Sequence, residues 1–443
     1  MFKRRSLLLG GAASLLAGIA GSSVLTARAA LREGFAGSSR PRAATPKRLI
    51  MVLAGGGWDV TCCLDPKLHA PEIEGPEVDF PEDEGLATYG GITIASNTVA
   101  RPQVDAFFEQ WHEKVAIING IRVDAIAHGS ARARMLTGSR VQGKPDLGAI
   151  AGATLGGELP LGYIDAGGSG RFGALAASSG RIGYQSQLRM LVDRAKAYPA
   201  PEGSGVTYPQ YLLSETDVSA GDAYLRARSE QLRAGRGSAS ARDLEMMAAL
   251  DEARERASRL IDFSPQFSDS LRLGRHPDAA DLATLTAELL RAEVCQSILL
   301  SGGEDFDTHQ NNVDQHASFN GLFETLSLLS SAIEDAGLWD DTVMLVTSDF
   351  TRTPKRNAEA GKNHWPINSA IVMGAGVKPG GAVYGGTTDD TFDARRVDFA
   401  TGQADDAGDI LSFEHLGAGL LELIGVDAAS WLPGAAPFTA YHA

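Results

Sequence analysis

The sequence predicts an α/β protein with a mostly parallel central sheet, helices on both of its faces and a helical insertion. Short, continuously apolar runs recur along the chain, which is typical of strands buried on both faces of a parallel sheet. Segments with helical spacing lie between these runs, so strand, helix and strand alternate. The predicted strands are residues 49–54, 115–120, 297–302, 342–349 and 369–374.

The clearest predicted helix follows the strand near residue 300. Its apolar stripe consists of Val313, His316, Phe319, Leu322, Phe323, Leu326, Leu329 and Ile333. From residue 214 to about 264 the composition changes to Arg, Glu, Ala and Leu, which indicates surface helices broken at residues 235–237. We interpret this segment as an insertion in a single domain that spans residues 47–443.

The first 29 residues have the layout of an export signal. Arg4 and Arg5 precede a glycine-diluted apolar stretch, and a small-x-small site ends at Ala29. The paired arginines favour the twin-arginine translocon, which we expect as the partner during export. Residues 30–46 follow as a linker. The sequence therefore predicts a periplasmic or secreted protein with no stable membrane anchor after cleavage.

The charge of the chain excludes some partners. Removal of residues 1–29, which carry four basic side chains and no acid, takes the formal net charge from −15 to −19. Such a surface argues against nucleic acid as a partner, and an anionic substrate would need a locally positive site. Cys62, Cys63 and Cys295 are too few for a disulfide scaffold; either one pair forms, or all three are buried small hydrophobic residues, which we favour.

Polar side chains follow several of the predicted strands, where ligands of open α/β sheets bind. These residues are Asp59, Asp307, His309, Asp349 and His364. Each one alone is more simply a helix cap or a turn residue. Their shared position at strand ends instead favours a divalent metal site, for an ion such as zinc or manganese.

Residues 128–138, HGSARARMLTG, resemble the sulfatase signature in spacing. Arg132, Thr137 and Gly138 match its Arg, Thr and Gly, and His128 stands where sulfatases carry the Cys or Ser that becomes formylglycine. The leucine-rich segment 409–434 also resembles the closing helix of sulfatases. The chain is thus similar to the alkaline-phosphatase-like, sulfatase-like superfamily, and above all to an exported branch of unknown function that shares the Asp-Thr-His triplet and the Gly-Leu-Trp-Asp run at 337–340.

The resemblance implies a metal-dependent hydrolase of phosphate-type or sulfate-type esters. Its substrate would be a small anionic ester or a polysaccharide ester, and its cofactor a zinc, manganese or calcium ion bound by Asp59, Asp307, His309, Asp349 and His364. Because Phe350 occupies the place of a further ligand, we expect a single ion or none.

The signature position leaves the catalytic group open, because His128 cannot become formylglycine. His128 would act as nucleophile or general acid/base, would bind the metal, or would mark an inactive site. Ser130 and Thr61 are alternative nucleophiles, and Arg132 lies one turn into a helix whose start favours anions. Two functions therefore compete: a hydrolase with a non-standard nucleophile position, and a catalytically inactive periplasmic binding or assembly protein that retains the fold.

Overall fold

The computed structural model describes residues 47–75, 83–182, 215–234, 240–267, 278–303 and 305–443. The predicted export signal and linker lie outside these residues. Within them, no helix combines the length and the apolar character that a membrane span requires.

The centre of the protein is an eight-stranded sheet with the order β12-β4-β11-β8-β1-β7-β5-β6. All five predicted strands are present in it. The strands in this sheet are β1 (Arg48–Ala54), β4 (Val115–Arg122), β5 (Tyr163–Asp165), β6 (Ser179–Arg181), β7 (Ser297–Ser301), β8 (Thr342–Ser348), β11 (Ile367–Gly374) and β12 (Ala382–Gly385). The pairs within it are parallel except those of β11, which runs antiparallel to both β4 and β8. The predicted α/β fold with a mostly parallel sheet is confirmed.

Smaller two-stranded pieces lie outside this sheet. They are the hairpin of β2 (Gly85–Tyr89) and β3 (Ile92–Ser96), the pair of β9 (Thr351–Arg352) and β10 (His364–Trp365), and the pair of β13 (Arg396–Val397) and β14 (Asp409–Ile410). The pair of β9 and β10 matters for the site, because it joins the end of β8 to the start of β11.

The described helices cover both faces of the sheet. They are α1 (Pro102–Trp111), α2 (His128–Thr137), α3 (Leu147–Leu155), α4 (Glu215–Ala234), α5 (Ala241–Phe267), α6 (Ala279–Arg291), α7 (Asp314–Asp335), α8 (Phe413–Leu423) and α9 (Ala428–Trp431). On one face, Ile50 and Val52 of β1 share a core with apolar residues of α1, α6 and α7. On the other, α3 lies so close to β1 that a Cβ on Gly148 would be 3.3 Å from the sulfur of Met51. Successive side chains of β1 point to opposite faces of the sheet, and helices cover them on both faces.

The helical segments predicted from the sequence are also present. The stripe predicted after residue 300 lies on α7, with Phe319, Leu322, Phe323 and Leu326 fully buried. Helices α4 and α5 fall on the segment interpreted as an insertion. Arg256 attaches α5 to the rest of the protein through hydrogen bonds of 2.7 Å to the carbonyls of Gly157 and Leu159.

The carboxyl edge of the sheet gathers the loops that carry the candidate site. The parallel strands β1, β4, β7 and β8 all end there, and the antiparallel β11 begins there. Two glycines shape the turn after β1. Gly56 and Gly57 have φ of 106° and 91°, and a Cβ on Gly57 would lie 2.5 Å from the ring of Phe350. This close packing requires glycine at that turn.

Candidate metal centre

Four side chains converge at this edge: His128, Asp307, His309 and His364. One potential ligand atom from each lies within 4.8 Å of those of the other three. The Nε2 atom of His309 is 2.8 Å from Nε2 of His364 and 3.1 Å from Oδ1 of Asp307. The Nε2 atoms of His128 and His364 each lie 3.5 Å from an oxygen of Asp307. These residues come from three separate segments, namely the start of α2, the loop after β7 that carries both Asp307 and His309, and β10, so the fold itself assembles the cluster.

The other nitrogen of each imidazole is already engaged. The Nδ1 atom of His128 is 2.8 Å from Oδ2 of Asp349, and Nδ1 of His364 is 2.6 Å from the carbonyl oxygen of Ile126. The Nδ1 atom of His309 is 3.2 Å from Oδ1 of Asn363. That oxygen also accepts a hydrogen bond from the side-chain amide of Asn357, which identifies it as an acceptor. All three partners are acceptors, so each Nδ1 carries the hydrogen.

This assignment leaves three Nε2 lone pairs directed at one small volume. At 2.8 Å, the lone pairs of His309 and His364 would repel each other unless a proton or a cation lay between them. Ligand atoms around a tetrahedral zinc ion, with bonds of roughly 2.0–2.1 Å, are about 3.3 Å apart. Four of the separations, from 2.8 to 3.5 Å, lie on either side of that value, and the ligand atoms of the four residues all lie within 4.8 Å of one another. The donor set therefore fits a divalent ion.

Asp307 supplies the carboxylate of the cluster. Its Oδ1 accepts a hydrogen bond of 2.7 Å from the guanidinium of buried Arg352, while Oδ2 faces His128. Burial acts to raise the pKa of Asp307, but the hydrogen bond and charge of Arg352 and the nearby His128 and His309 outweigh it and lower that pKa. Asp307 is consequently ionised and available to a cation at neutral pH.

The state of His364 also suits a metal ligand. Burial lowers the pKa of His364, and the charges of Arg352 and His128 lower it further. The hydrogen bonds with Ile126 and Asp307 raise this pKa, but by less, so the net shift is downwards. A lowered pKa keeps the ring neutral near pH 7, which is the form that binds metals. Phe350 packs against this ring at 4.3 Å and against His128 at 4.9 Å between ring centroids. The position predicted to lack a ligand thus forms an apolar wall that supports two of the histidines.

Asp349 lies beside this cluster. Its carboxylate is fully buried and accepts hydrogen bonds from His128, from Nε and Nη2 of Arg132, and from the backbone N–H of Gly56. The hydrogen bonds from Arg132 raise the pKa of that guanidinium, against the effect of its burial. The sequence placed Asp349 among the ligands; in the structure it contacts a ligand.

Asp59 differs more strongly from its expected position. It is fully buried and forms an ion pair of 2.8 Å with Lys362, which is also fully buried. Asn312 donates to the same carboxylate oxygen, and the backbone and hydroxyl of Thr61 donate to the other. Burial acts to raise the pKa of Asp59, but Lys362 and these hydrogen bonds lower it overall. The ammonium of Lys362 thus stands beside Asp59 where the sequence predicted the metal.

The alternative nucleophiles occupy contrasting places. The Thr61 hydroxyl is buried and donates to Asp59 at 2.7 Å, so it has no access to a substrate. Ser130 is exposed on the first turn of α2, which begins at His128. Arg132 lies one turn further along α2, and its Nη1, the nitrogen that does not contact Asp349, is 3.4 Å from the hydroxyl of Ser169.

The sequence analysis missed two of the three basic residues that neutralise this edge and assigned a different role to the third. Lys362, Arg352 and Arg132 pair with Asp59, Asp307 and Asp349 respectively. Arg132 was identified, but as an anion-binding residue. The other two had one available signal: Arg352 lies three residues after Asp349, and Lys362 two residues before His364, within segments already suspected of carrying ligands.

Comparison with known proteins identifies a family and several similar solved structures. Residues 46–426 match the model of a family described as protein of unknown function (DUF1501). No curated protein matches the sequence. Similar solved structures include the lipoteichoic acid synthase LtaP from Listeria monocytogenes (10% identity, 90% of this chain and 77% of that one, TM-score 0.38). They also include a protein in the alkaline phosphatase superfamily from Vibrio parahaemolyticus (10%, 94% and 79%, TM-score 0.36) and the PsFucS1 sulfatase from Pseudoalteromonas sp. (11%, 91% and 71%, TM-score 0.35).

Proposed function

Because the chain belongs to the family described as protein of unknown function (DUF1501), we propose its function from its own site. The protein is an exported, metal-dependent hydrolase of phosphate-type or sulfate-type esters. It holds one divalent ion between His128, Asp307, His309 and His364. The observation that carries this proposal is the convergence of three Nε2 lone pairs and one carboxylate, with every Nδ1 hydrogen directed away from the cluster.

The donor set narrows the choice of ion. Three imidazole nitrogens and one carboxylate suit zinc or manganese, whereas calcium takes six to eight oxygen ligands. Of the three ions that the resemblance implies, we therefore propose zinc or manganese. A bound ion would polarise an ester oxygen and lower the pKa of a coordinated water.

The electrostatics of the site favour an anionic substrate. Each of the three carboxylates, Asp59, Asp307 and Asp349, already pairs with a basic side chain within 2.9 Å. No unpaired carboxylate of these three would remain to balance the charge of an added ion. The site would therefore be positive on an otherwise acidic protein. The start of α2 and Arg132 lie beside it and favour an anion at the same place. We propose a small anionic ester or a polysaccharide ester as the substrate.

One observation favours the inactive alternative. If His128 binds the ion, the protein itself supplies four ligands, as closed structural zinc sites do, whereas catalytic sites keep a position open. In that case the protein is a periplasmic binding or assembly protein whose ion is structural. In the hydrolase, by contrast, water or the substrate must enter as a fifth ligand or displace His128.

Export by the twin-arginine translocon forms part of the proposal. It rests on Arg4 and Arg5, the diluted apolar stretch and the site ending at Ala29. This route carries folded proteins, which suits a protein that acquires its ion before export.

Metal analysis of the mature protein together with an ester screen tests the function. We expect about one zinc or manganese ion per chain and turnover of a phosphate, sulfate or phosphonate ester. His309→Ala should abolish both, whereas His69→Ala, at an exposed histidine outside the cluster, should leave both unchanged. Bound metal without turnover of any ester supports the inactive alternative. Protein that takes up no metal and turns over no ester overturns the hydrolase and its metal centre, and leaves the inactive protein that retains the fold.

A further inference from the structure

We propose that Asp349 is a positioning residue of the metal centre: it fixes His128 as a ligand through the Nδ1 hydrogen and does not bind the ion itself. This inference deepens the proposed function and rests on its metal-binding part. It also changes the role that the sequence predicted for Asp349, which was that of a direct ligand.

The hydrogen bonds of Asp349 fully occupy the oxygen that contacts His128. An ionised carboxylate has about four lone-pair positions. Oδ2 accepts from His128 at 2.8 Å, from Nη2 of Arg132 at 3.0 Å and from the backbone of Gly56 at 3.2 Å. Oδ1 accepts from Nε of Arg132 at 2.9 Å. Three donors therefore occupy both lone pairs of Oδ2, so an ion could reach the oxygen beside His128 only by displacing one of them, while Oδ1 is held by Arg132.

His128 needs such a partner because its ring contacts with Phe350 and His364 do not select which nitrogen carries the hydrogen. It is the first residue of α2, preceded by an N-cap residue, Ala127, whose side chain makes no capping hydrogen bond. About a third of its side chain is exposed, and Phe350 supports one side of the ring. The hydrogen bond to Asp349 selects the Nδ1–H form and directs Nε2 towards Asp307. A carboxylate behind a histidine ligand in this way also increases the basicity of the ligand.

Arg132 completes the arrangement. Its two-point contact fixes the plane of the Asp349 carboxylate and balances its charge, which would otherwise be costly at a fully buried position. Arg132 thus holds Asp349, Asp349 orients His128, and His128 would bind the ion. Loss of Asp349 should weaken metal binding only as far as it depends on His128.

A double-mutant cycle tests this dependence. The variants are His128→Ala, Asp349→Ala and the double variant, and the measurement is the affinity for Co²⁺ or Zn²⁺ in competition with a chromophoric chelator. We expect each single change to weaken binding by about 10- to 100-fold. The double variant should be no weaker than His128→Ala by more than about threefold, because contacting residues in one network are not additive.

One control and one alternative set of variants keep the outcome clear. Asp165→Asn alters another fully buried aspartate that pairs with an arginine at the end of a strand, and should leave metal affinity unchanged. Should the alanine variants fail to fold, His128→Gln and Asp349→Asn repeat the cycle with less loss of volume.

The possible results separate the two proposals. Additive losses in the cycle, or an unaltered affinity in the single Asp349 variants, overturn the positioning role while the metal centre stands. Wild-type protein that binds neither ion overturns the proposed function itself.

Discussion

Replacing Lys362 by methionine tests how Asp59 is held. The change leaves the Asp59 carboxylate fully buried without its counter-ion, which lies 2.8 Å away in the wild type. It also removes a hydrogen bond of 2.6 Å from the ammonium to the carbonyl of Glu74. Breaking a buried ion pair by removing one partner costs about 3–5 kcal/mol. For the roughly 340 residues that the structure describes, each gaining about 2.1 cal/mol/K of entropy on unfolding, this cost lowers the Tm by roughly 4–7 °C.

Differential scanning calorimetry measures the shift, and a nearby lysine provides the control. Lys355 pairs with Glu72 at 2.7 Å, but both side chains are more than half exposed, so Lys355→Met should change the Tm little. The double variant Asp59→Asn with Lys362→Met should recover part of the loss, since no unpaired buried charge remains. A Tm of Lys362→Met equal to that of Lys355→Met, or a double variant as unstable as the sum of its singles, would refute the reasoning.

Three further outcomes are expected. Gly57→Ala should lower both the Tm and the metal affinity, because the added Cβ would lie 2.5 Å from the ring of Phe350, which packs against His128 and His364. Gly221→Ala in α4 is the control, because a Cβ added there would meet no atom within 4 Å. Acid titration of the unfolding free energy should show a contribution of Asp59 that is present above its unfolded pKa, near 3.8, and lost as the pH falls through the lower folded pKa; Asp59→Asn should lack this component. Zinc at 100 times its Kd should stabilise the wild type by about 2.7 kcal/mol, a chelator should reverse the effect, and His309→Ala should not respond.

The sheet was readable from the sequence where its strands are long and apolar. β1, β4, β7, β8 and β11 each have at least five residues, most of them buried. β5 and β6 have three residues each, and β12 has four, too few for a pattern to distinguish from a loop. The direction of β11 follows from the absence of a described helix between it and β8, since parallel neighbours need a longer crossover connection.

The sequence predicted which residues lie at the site, but it did not predict which of them form ion pairs with each other or with basic side chains. Asp307, His309 and His364 lie together at the predicted edge. Asp59 and Asp349 follow strands at the same edge, and nothing local distinguishes an aspartate that binds an ion from one that pairs with a basic side chain. That distinction depends on Lys362 and Arg132, which are 303 and 217 residues away in the sequence, respectively. Only the folded chain brings these partners together.

The same pairings limit the number of ions that this edge can hold. A second ion near Asp59 would have to replace the ammonium of Lys362, and one near Asp349 would have to displace Arg132 or His128. Either exchange would leave a basic side chain inside the protein without its counter-ion, and Lys362 is fully buried. Among the described residues, the cluster around Asp307 has no such basic competitor for its three Nε2 lone pairs. We therefore expect one ion per chain even in excess zinc, and metal analysis after equilibrium dialysis that gives two ions would contradict the described pairings of Asp59 and Asp349.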